Sequence, residues 1–389
     1  MIAALINDRR TLPFITLFGL ALVSVTSVTV RSDDPVSSSV TFNREIVRIF
    51  ERKCLPCHSA NAVAMPLATY REVRPWSRAI REEIVEQRMP PWGAAQGYAP
   101  IANDPGLNSR QLAMILTWLD GGLPRGEDRD LPRPATAHEH IAKPDHLVPL
   151  PAQRIPAGNE HVVRHVRVAA GATMGRLQRV EIRPGDRRVL RAAFVSIVTG
   201  PAPRTSQWVG AWTPWHPTIT PPAGMSFLLP AGAELEAELH YRGRDTDLDD
   251  RSAIALFSTE DDADGVAGQI VIDTSAEGPP GAAPRARGSV TLPSASRVWA
   301  VVPRIPGDDR NGAHEAVDRP AVSVEVTARK PDGSVEVLLW VPRYHTDWPV
   351  PYVLRDPVSL PAGTRVSLTT TGIAPNARQK PSVTLATYR

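Results

Sequence analysis

Thirty-nine of the 389 residues are proline, and they are spread through valine-rich segments rather than gathered in one stretch. Proline cannot donate to a sheet ladder and breaks a helix interior, so this spacing predicts short strands joined by fixed turns over most of the chain. Alternating apolar and polar residues recur in HVVRHVRVAAG from residue 161, RLQRVEIRPGD from 176, AELEAELHYRG from 233, AIALFS from 253 and RVSLTTTG from 365. VTARKPDGSVEVLL, from 326, reads as a hairpin turning at Pro331-Asp332-Gly333. PAGAEL at 230–235 and PAGTRV at 361–366 each lead into a strand, which suggests two related β-domains with a boundary in EGPPGAAPRARG at 277–288. Many short strands at regular spacing argue for sandwiches.

The first third of the chain is patterned differently. In FNREIVRIFERKC, Ile46, Ile49 and Phe50 fall on one helical face. Thr69 and Glu72 have the spacing of a capping box and open a helical stretch toward Gln87, interrupted at Pro75. Asn108 or Ser109 caps a third helix, QLAMILTWLD, which stops at Gly121-Gly122. Ahead of these, Arg9 and Arg10 precede an apolar run from Leu12 to Val30, and Arg31, Ser32, Asp33 and Asp34 follow. Such a segment is an export signal or an uncleaved anchor; either places the remainder outside the cytoplasm. The expected location is therefore the periplasm or beyond, with the N-terminus as an inner-membrane anchor in the uncleaved case. A net charge of +3 with no basic run interleaved with aromatics gives no reason to expect nucleic acid as a partner.

The only two cysteines stand in KCLPCHSA, at 54 and 57, with a histidine next. Four chemistries compete for Cys54-Leu55-Pro56-Cys57-His58. Zinc would need further soft ligands, and no other cysteine exists. A thioredoxin-type couple would open a helix beside a βαβ pattern, whereas this pair closes a helix in a helical segment. A disulfide across two residues closes a tiny loop and stabilises little. Cys-x-x-Cys-His is the attachment signature of c-type haem, with both thiols bound to the porphyrin and the imidazole on the iron. One covalent haem c is the expected cofactor. For the other face of the iron Met89, held extended by MPPW, is the expected ligand; Met65 is the alternative, and an open position is a third case. Met114 lies within a helix among apolar neighbours and reads as core.

FNREIVRIFERKCLPCHSANAVAMPLATYREVRPWSRAIREEIVEQRMPPW, continued by ANDPGLNSRQLAMILTWLDGGLPRG, resembles the class I-like cytochrome c domains fused to copper type II, ascorbate-dependent monooxygenase-like domains in bacterial exported proteins. In that resemblance Cys54, Cys57 and His58 match the attachment motif and Met89 the distal ligand. It continues more weakly through VEIRPGDRRVL, GMSFLLPAGAELEAELHY and RKPDGSVEVLLWVPRYHTDWPVPYVL, which implies the two-domain β-fold of peptidylglycine α-hydroxylating monooxygenase. The copper ligands do not follow. Arg191 and Ala192 stand where the family has paired histidines, Ala316, Val317 and Asp318 where it has His-x-His, and no methionine remains after Met225. Only His240 matches, as a vestigial copper ligand, so no copper is expected. His161 and His165 read as ordinary strand histidines, His138, His140 and His146 as solvated linker, and Glu234, Glu236 and Glu238 as a solvated strand face.

The expected fold is accordingly multidomain: a small all-α class I-like cytochrome c domain followed by two jelly-roll-like β-sandwiches. The divisions are a signal or anchor at 1–38, the cytochrome domain at 39–126, a proline-rich linker at 127–152, and sandwiches at 153–278 and 279–389. The expected function is electron transfer through a His58/Met89 haem to periplasmic redox partner proteins, with the β-region as a binding scaffold. Its alternatives are a copper- and ascorbate-dependent monooxygenase fed by the haem, and a purely structural or adhesive β-region.

Overall fold

Alternation of apolar and polar residues sets one face of each strand inward, and the strands assemble into layers that bury those faces. The structure is a computed structural model and describes residues 39–133, 142–158, 161–171, 175–260, 265–277, 285–306, 322–373 and 380–389, of which 44% are strand and 15% helix. One eight-stranded sheet runs in the order His146–Pro149, Ala253–Thr259, Gly175–Arg183, Met225–Leu229, Gly265–Asp273, Ser382–Tyr388, Ser296–Arg304, Tyr352–Leu360. Its first four strands layer with a four-stranded sheet, His161–Ala169, Glu234–Arg242, Leu190–Thr199 and Thr205–Trp212, around a core that includes Val180, Phe194, Leu239 and Tyr241. Its last strands layer with a five-stranded sheet, Ser275–Glu277, Arg285–Thr291, Arg365–Thr371, Ser323–Arg329 and Val335–Val341, around Val301, Val326, Leu339 and Leu368.

The two β-halves are therefore joined through backbone. Gly265–Asp273 runs parallel to Met225–Leu229, with Gly265 opposite Met225, and antiparallel to Ser382–Tyr388 over seven residue pairs from Ala267 to Asp273. The two PAG entries fold alike. Ala233 N–H donates to Pro230 O and Thr364 N–H to Pro361 O, while Gly232 and Gly363 take φ of 73° and 81°, a conformation cheap only for glycine.

The helices are short: Val47–Lys53, Leu55–His58, Tyr70–Val73, Ser77–Val85 and Ser109–Asp120. Phe42, Ile46, Ile49, Phe50, Val73, Ile115 and Trp118 form their core. Thr69 and Glu72 make both bonds of a capping box, as do Asn108 and Gln111, and Pro75 sits in a tight turn, Arg74–Trp76, before the helix resumes.

The expectation of a separate all-α cytochrome c domain ahead of two sandwiches is corrected. The chain is mostly β, and the segment between the fourth and fifth helices belongs to the second β-half. Trp92, Ala94, Ala99 and Ile101 pack into that core, Ile101 bridges to Leu354, Ala95 N–H donates to Trp340 O, and Ala102 N–H donates to Val353 O. Gly93 lies so close to the chain that a Cβ there would meet Arg343 O at 1.9 Å. The buried Asn103 amide donates to Pro351 O at 2.8 Å and accepts from Val353 N–H at 3.0 Å. The physical reason is composition. MPPWGAAQGYAPIANDPG has too much proline and glycine to continue a helix, and its free backbone groups and apolar side chains find partners on a neighbouring sheet.

Within the segment expected as a linker, His146–Pro149 pairs with Ala253–Thr259 as a sheet edge. The export segment at 1–38, His138, His140, His314, Ala316, Val317 and Asp318, and the 278/279 boundary lie outside the described residues. Among the described residues no helix is long and apolar enough to cross a membrane.

Candidate functional site

Helix Val47–Lys53 ends where Cys54 N–H donates to Phe50 O, and the next turn begins at once: His58 N–H donates to Cys54 O at 2.9 Å. Cys54 and Cys57 are thus one helical turn apart, and both thiols are free. Burial pushes each thiol up to about 12; for Cys57 the charge of Cys54 adds to this, while Arg191 and Arg187 oppose it. The thiol of Cys57 therefore lies within electrostatic reach of the first β-half. The loop after it is tied there too, by Arg244 donating to Val63 O at 3.0 Å.

His58 is oriented by its own loop. Its Nδ1 lies 2.9 Å from Met65 O, and a carbonyl only accepts, so Nδ1 carries the proton and Nε2 keeps its lone pair. Burial lowers the pKa of His58, with the Met65 bond acting against it, which keeps the ring neutral near pH 7. Met65 meets His58 through its carbonyl, Met114 packs against the helical core, and Met89 follows the fourth helix with 38% of its surface exposed.

The outer face of the four-stranded sheet carries a polar network that the sequence does not announce. In the pairing of His161–Ala169 with Glu234–Arg242, Val163 stands opposite His240 and His165 opposite Glu238, so His161, His165, Glu238 and His240 share one face. The His161 and His240 rings stack at 5.2 Å, and His161 Nε2 lies 3.1 Å from His240 Nδ1. His240 Nε2 is 2.7 Å from Glu238 Oε1, which also accepts from Arg304 at 3.2 Å. A carboxylate only accepts, so His240 donates from Nε2 and uses its Nδ1 lone pair to accept from His161. Both nitrogens of His240 are engaged within this network. Among the described residues no group of three or more His, Cys, Asp or Glu is placed to hold a metal ion.

Glu238 belongs to this network rather than to a solvated face. Burial raises its pKa, but Arg304 and His240 together bring it down to about 2. His161 is lowered to about 4, first by burial and then by His240, although part of its ring remains open to water. Beyond Glu238 the two β-halves line a half-open cleft of about 320 Å³ that includes His165, Phe194, Trp208, Glu236 and Arg304.

Arg191 sits at a β-bulge: Leu190 pairs with Tyr241 and Ala192 with His240, which leaves Arg191 as the extra residue. Bulges re-aim side chains, and this one brings Arg191, 3% exposed, to Asp347 Oδ2 at 2.7 Å and over the Trp348 ring at 4.7 Å. Burial lowers its pKa to about 10, so it remains a cation. Sequence reasoning placed a cation here but missed Asp347, which lies 156 positions away, and missed the pairing of His161 with His240. Strand register is the signal that would have found the latter.

No protein-family model matches the chain, and no curated protein matches it. Among solved structures it is similar to allantoicase from Saccharomyces cerevisiae, 12% identical over 61% of this chain and 81% of that one, with a TM-score of 0.18. A second allantoicase structure is 13% identical over 60% and 80%, with a TM-score of 0.17. A Paenibacillus xanthan lyase is 11% identical over 68% of this chain and 27% of that one, again with a TM-score of 0.17. TM-scores this low carry nothing about substrate or activity to this chain.

The resemblance to cytochrome c domains fused to copper monooxygenase-like domains is corrected with the fold that it implied. The chain is mostly β, no all-α domain stands apart among the described residues, and the helical segment is stitched into a β-core. Electron transfer by a cytochrome module, and its alternative of a haem-fed copper monooxygenase, fall with that resemblance. The chain is a β-rich protein in which a short helical segment carries two free thiols and an oriented imidazole, with Cys57 within electrostatic reach of the buried Arg191.

Proposed function

We propose that this chain is a binding protein that holds one covalently attached prosthetic group between its helical segment and its first β-half, and that the group is a haem c. The observation that carries this is the geometry of Cys54, Cys57 and His58. Two free thiols lie one turn apart, and the adjacent imidazole has its Nδ1 proton fixed on Met65 O, which leaves Nε2 as a ligand. A backbone acceptor on the far ring nitrogen is the usual support of a metal-binding histidine. In the attachment each thiol adds across a vinyl group, its hydrogen going to the other vinyl carbon, so nothing is oxidised. Bound there, the haem would supply an iron centre, with Met89 as the candidate for its second face.

The apolar run from Leu12 to Val30 would direct the chain to the periplasm. Neither electron transfer nor copper chemistry is part of the proposal. It is tested by the intact mass of the exported protein, expected to exceed the polypeptide by one haem, with a thioether-type haemochrome spectrum. Cys54→Ala with Cys57→Ala should remove the added mass. A wild-type protein with two free thiols and no added mass, from cells that attach haem to other proteins, discards it.

A further inference from the structure

Arg191, whose charge reaches Cys57, belongs to a set of groups with hydrogen-bonding capacity still to be accounted for. Trp348 is its centre. Arg191 lies over the indole ring at 4.7 Å, the Trp215 ring is 5.9 Å away at 38°, and the backbone N–H of Trp348 donates to His345 O. Three nitrogens of the residues that meet Trp348 are shut off from water and have no hydrogen-bond partner: Arg191 Nε, Trp215 Nε1 and His345 Nε2. A buried N–H left unpaired is costly, and more so in a charged group, so three in residues that meet at Trp348 call for a partner. Two of them, the guanidinium Nε–H and the indole N–H, can only donate, and the imidazole can donate from Nε2. Arg191 spends its Nη1 on Asp347 and keeps Nε for something else.

The partner must therefore accept hydrogen bonds, and a negative charge suits it best. Arg191 is buried and positive, and its charge reaches Cys57 together with that of Arg187. A water could satisfy one such donor, but donors spread over an arginine and two rings match a larger acceptor with several lone pairs.

We propose that Arg191, Trp215 and His345 form a carboxylate-binding subsite on the β-body, receiving an acidic substituent of the group anchored at Cys54 and Cys57. The subsite rests on the binding reading above and deepens it. The helical segment holds the group by covalent bonds, and the β-body recognises its acid. It also gives the bulge at Arg191 a purpose, because only the re-aimed side chain reaches Trp348.

The test uses the full chain with Cys54→Ala and Cys57→Ala, so that binding is reversible, and two probes that differ only in their acids: haem and haem dimethyl ester. Haem should bind about 10-fold to 100-fold more tightly than the ester, as expected for one or two charge-assisted hydrogen bonds. Trp215→Phe removes one donor and keeps a ring; Arg191→Lys keeps the charge and removes the fork. Each should shrink the haem-to-ester ratio severalfold, while Trp76→Phe, on the exposed side of the helical segment, should leave it unchanged. Thermal melts establish that each variant is folded. Equal affinity for the two probes, or a ratio untouched by both seam variants, overturns the subsite even if the wild-type protein carries its haem. Failure of the thiol-free chain to bind either probe also overturns it. The wild-type mass separately decides whether the covalent anchor exists.

Discussion

The two β-halves share one sheet and hold the same helical segment in different ways. The second half holds it mainly by backbone, Ala95 to Trp340, Ala102 to Val353 and Arg355 to Pro100, with the Tyr352 hydroxyl adding a bond to Trp92 O at 3.1 Å. The first half reaches it with side chains, Arg244 to Val63 and the charge of Arg191 toward Cys57. Backbone ladders fix position whatever the side chains are, whereas side-chain contacts can be changed one at a time. One half therefore positions the helices, and the other is free to present chemistry to them.

The largest effect should come from the polar side of this pairing. Asp347→Ala leaves the buried Arg191 without its counter-ion and should cost about 3–5 kcal/mol in denaturant unfolding. Arg191→Met should cost less, because the Asp347 side chain is 30% exposed and can turn to water. The reverse order would mean that Arg191 has another anion at hand. On the backbone side, Asn103→Ala strands Pro351 O and Val353 N–H and should cost about 2–4 kcal/mol. It should also raise proteolysis between residues 92 and 103; an unchanged cleavage rate there would break the picture of a docked strap. Away from both contacts, Thr69→Ala removes a helix cap and should cost about 1 kcal/mol without altering that cleavage.

Acid gives the smallest effect near neutrality and a growing one below it. Glu238 is held at about 2, well under its ordinary 4.5, so the stability it adds is complete above 4.5 and disappears as pH falls through 2. His161 acts with the same sign. Its folded value of about 4 lies below 6.5, so the unfolded chain takes up the proton first as pH falls between those values. Water on the open edge of that ring trims its share. Melting temperature should decline from pH 6.5 downward, and Glu238→Gln should flatten the curve between 4.5 and 2.

Much of the local structure can be read directly from the residues. Thr69 with Glu72 and Asn108 as cap are seen as their spacing requires, and the Pro331-Asp332-Gly333 turn closes with Lys330 N–H donating to Ser334 O. These features depend on neighbours three or four positions apart. The strap at 92–103 is not legible, because its partners lie some 250 residues away and proline-rich text says only that a helix stops. His161 and His240 are individually ordinary; 79 positions apart, they meet only through the register of their two strands. Arg191 was visible as a cation out of place, but its bulge depends on which residue faces Tyr241, and no periodicity in one strand reports that.

Gly265–Asp273 bonds to one half on each side, and this has a consequence for dividing the molecule. A gene cut after the first half would leave Met225–Leu229 as a sheet edge stripped of its neighbour. A cut that kept the second half alone would bare the other edge of Gly265–Asp273. Bare edges recruit strands from other copies, so either fragment should aggregate where the whole chain does not. The halves look like modules by their cores, but they can be inherited only as a pair.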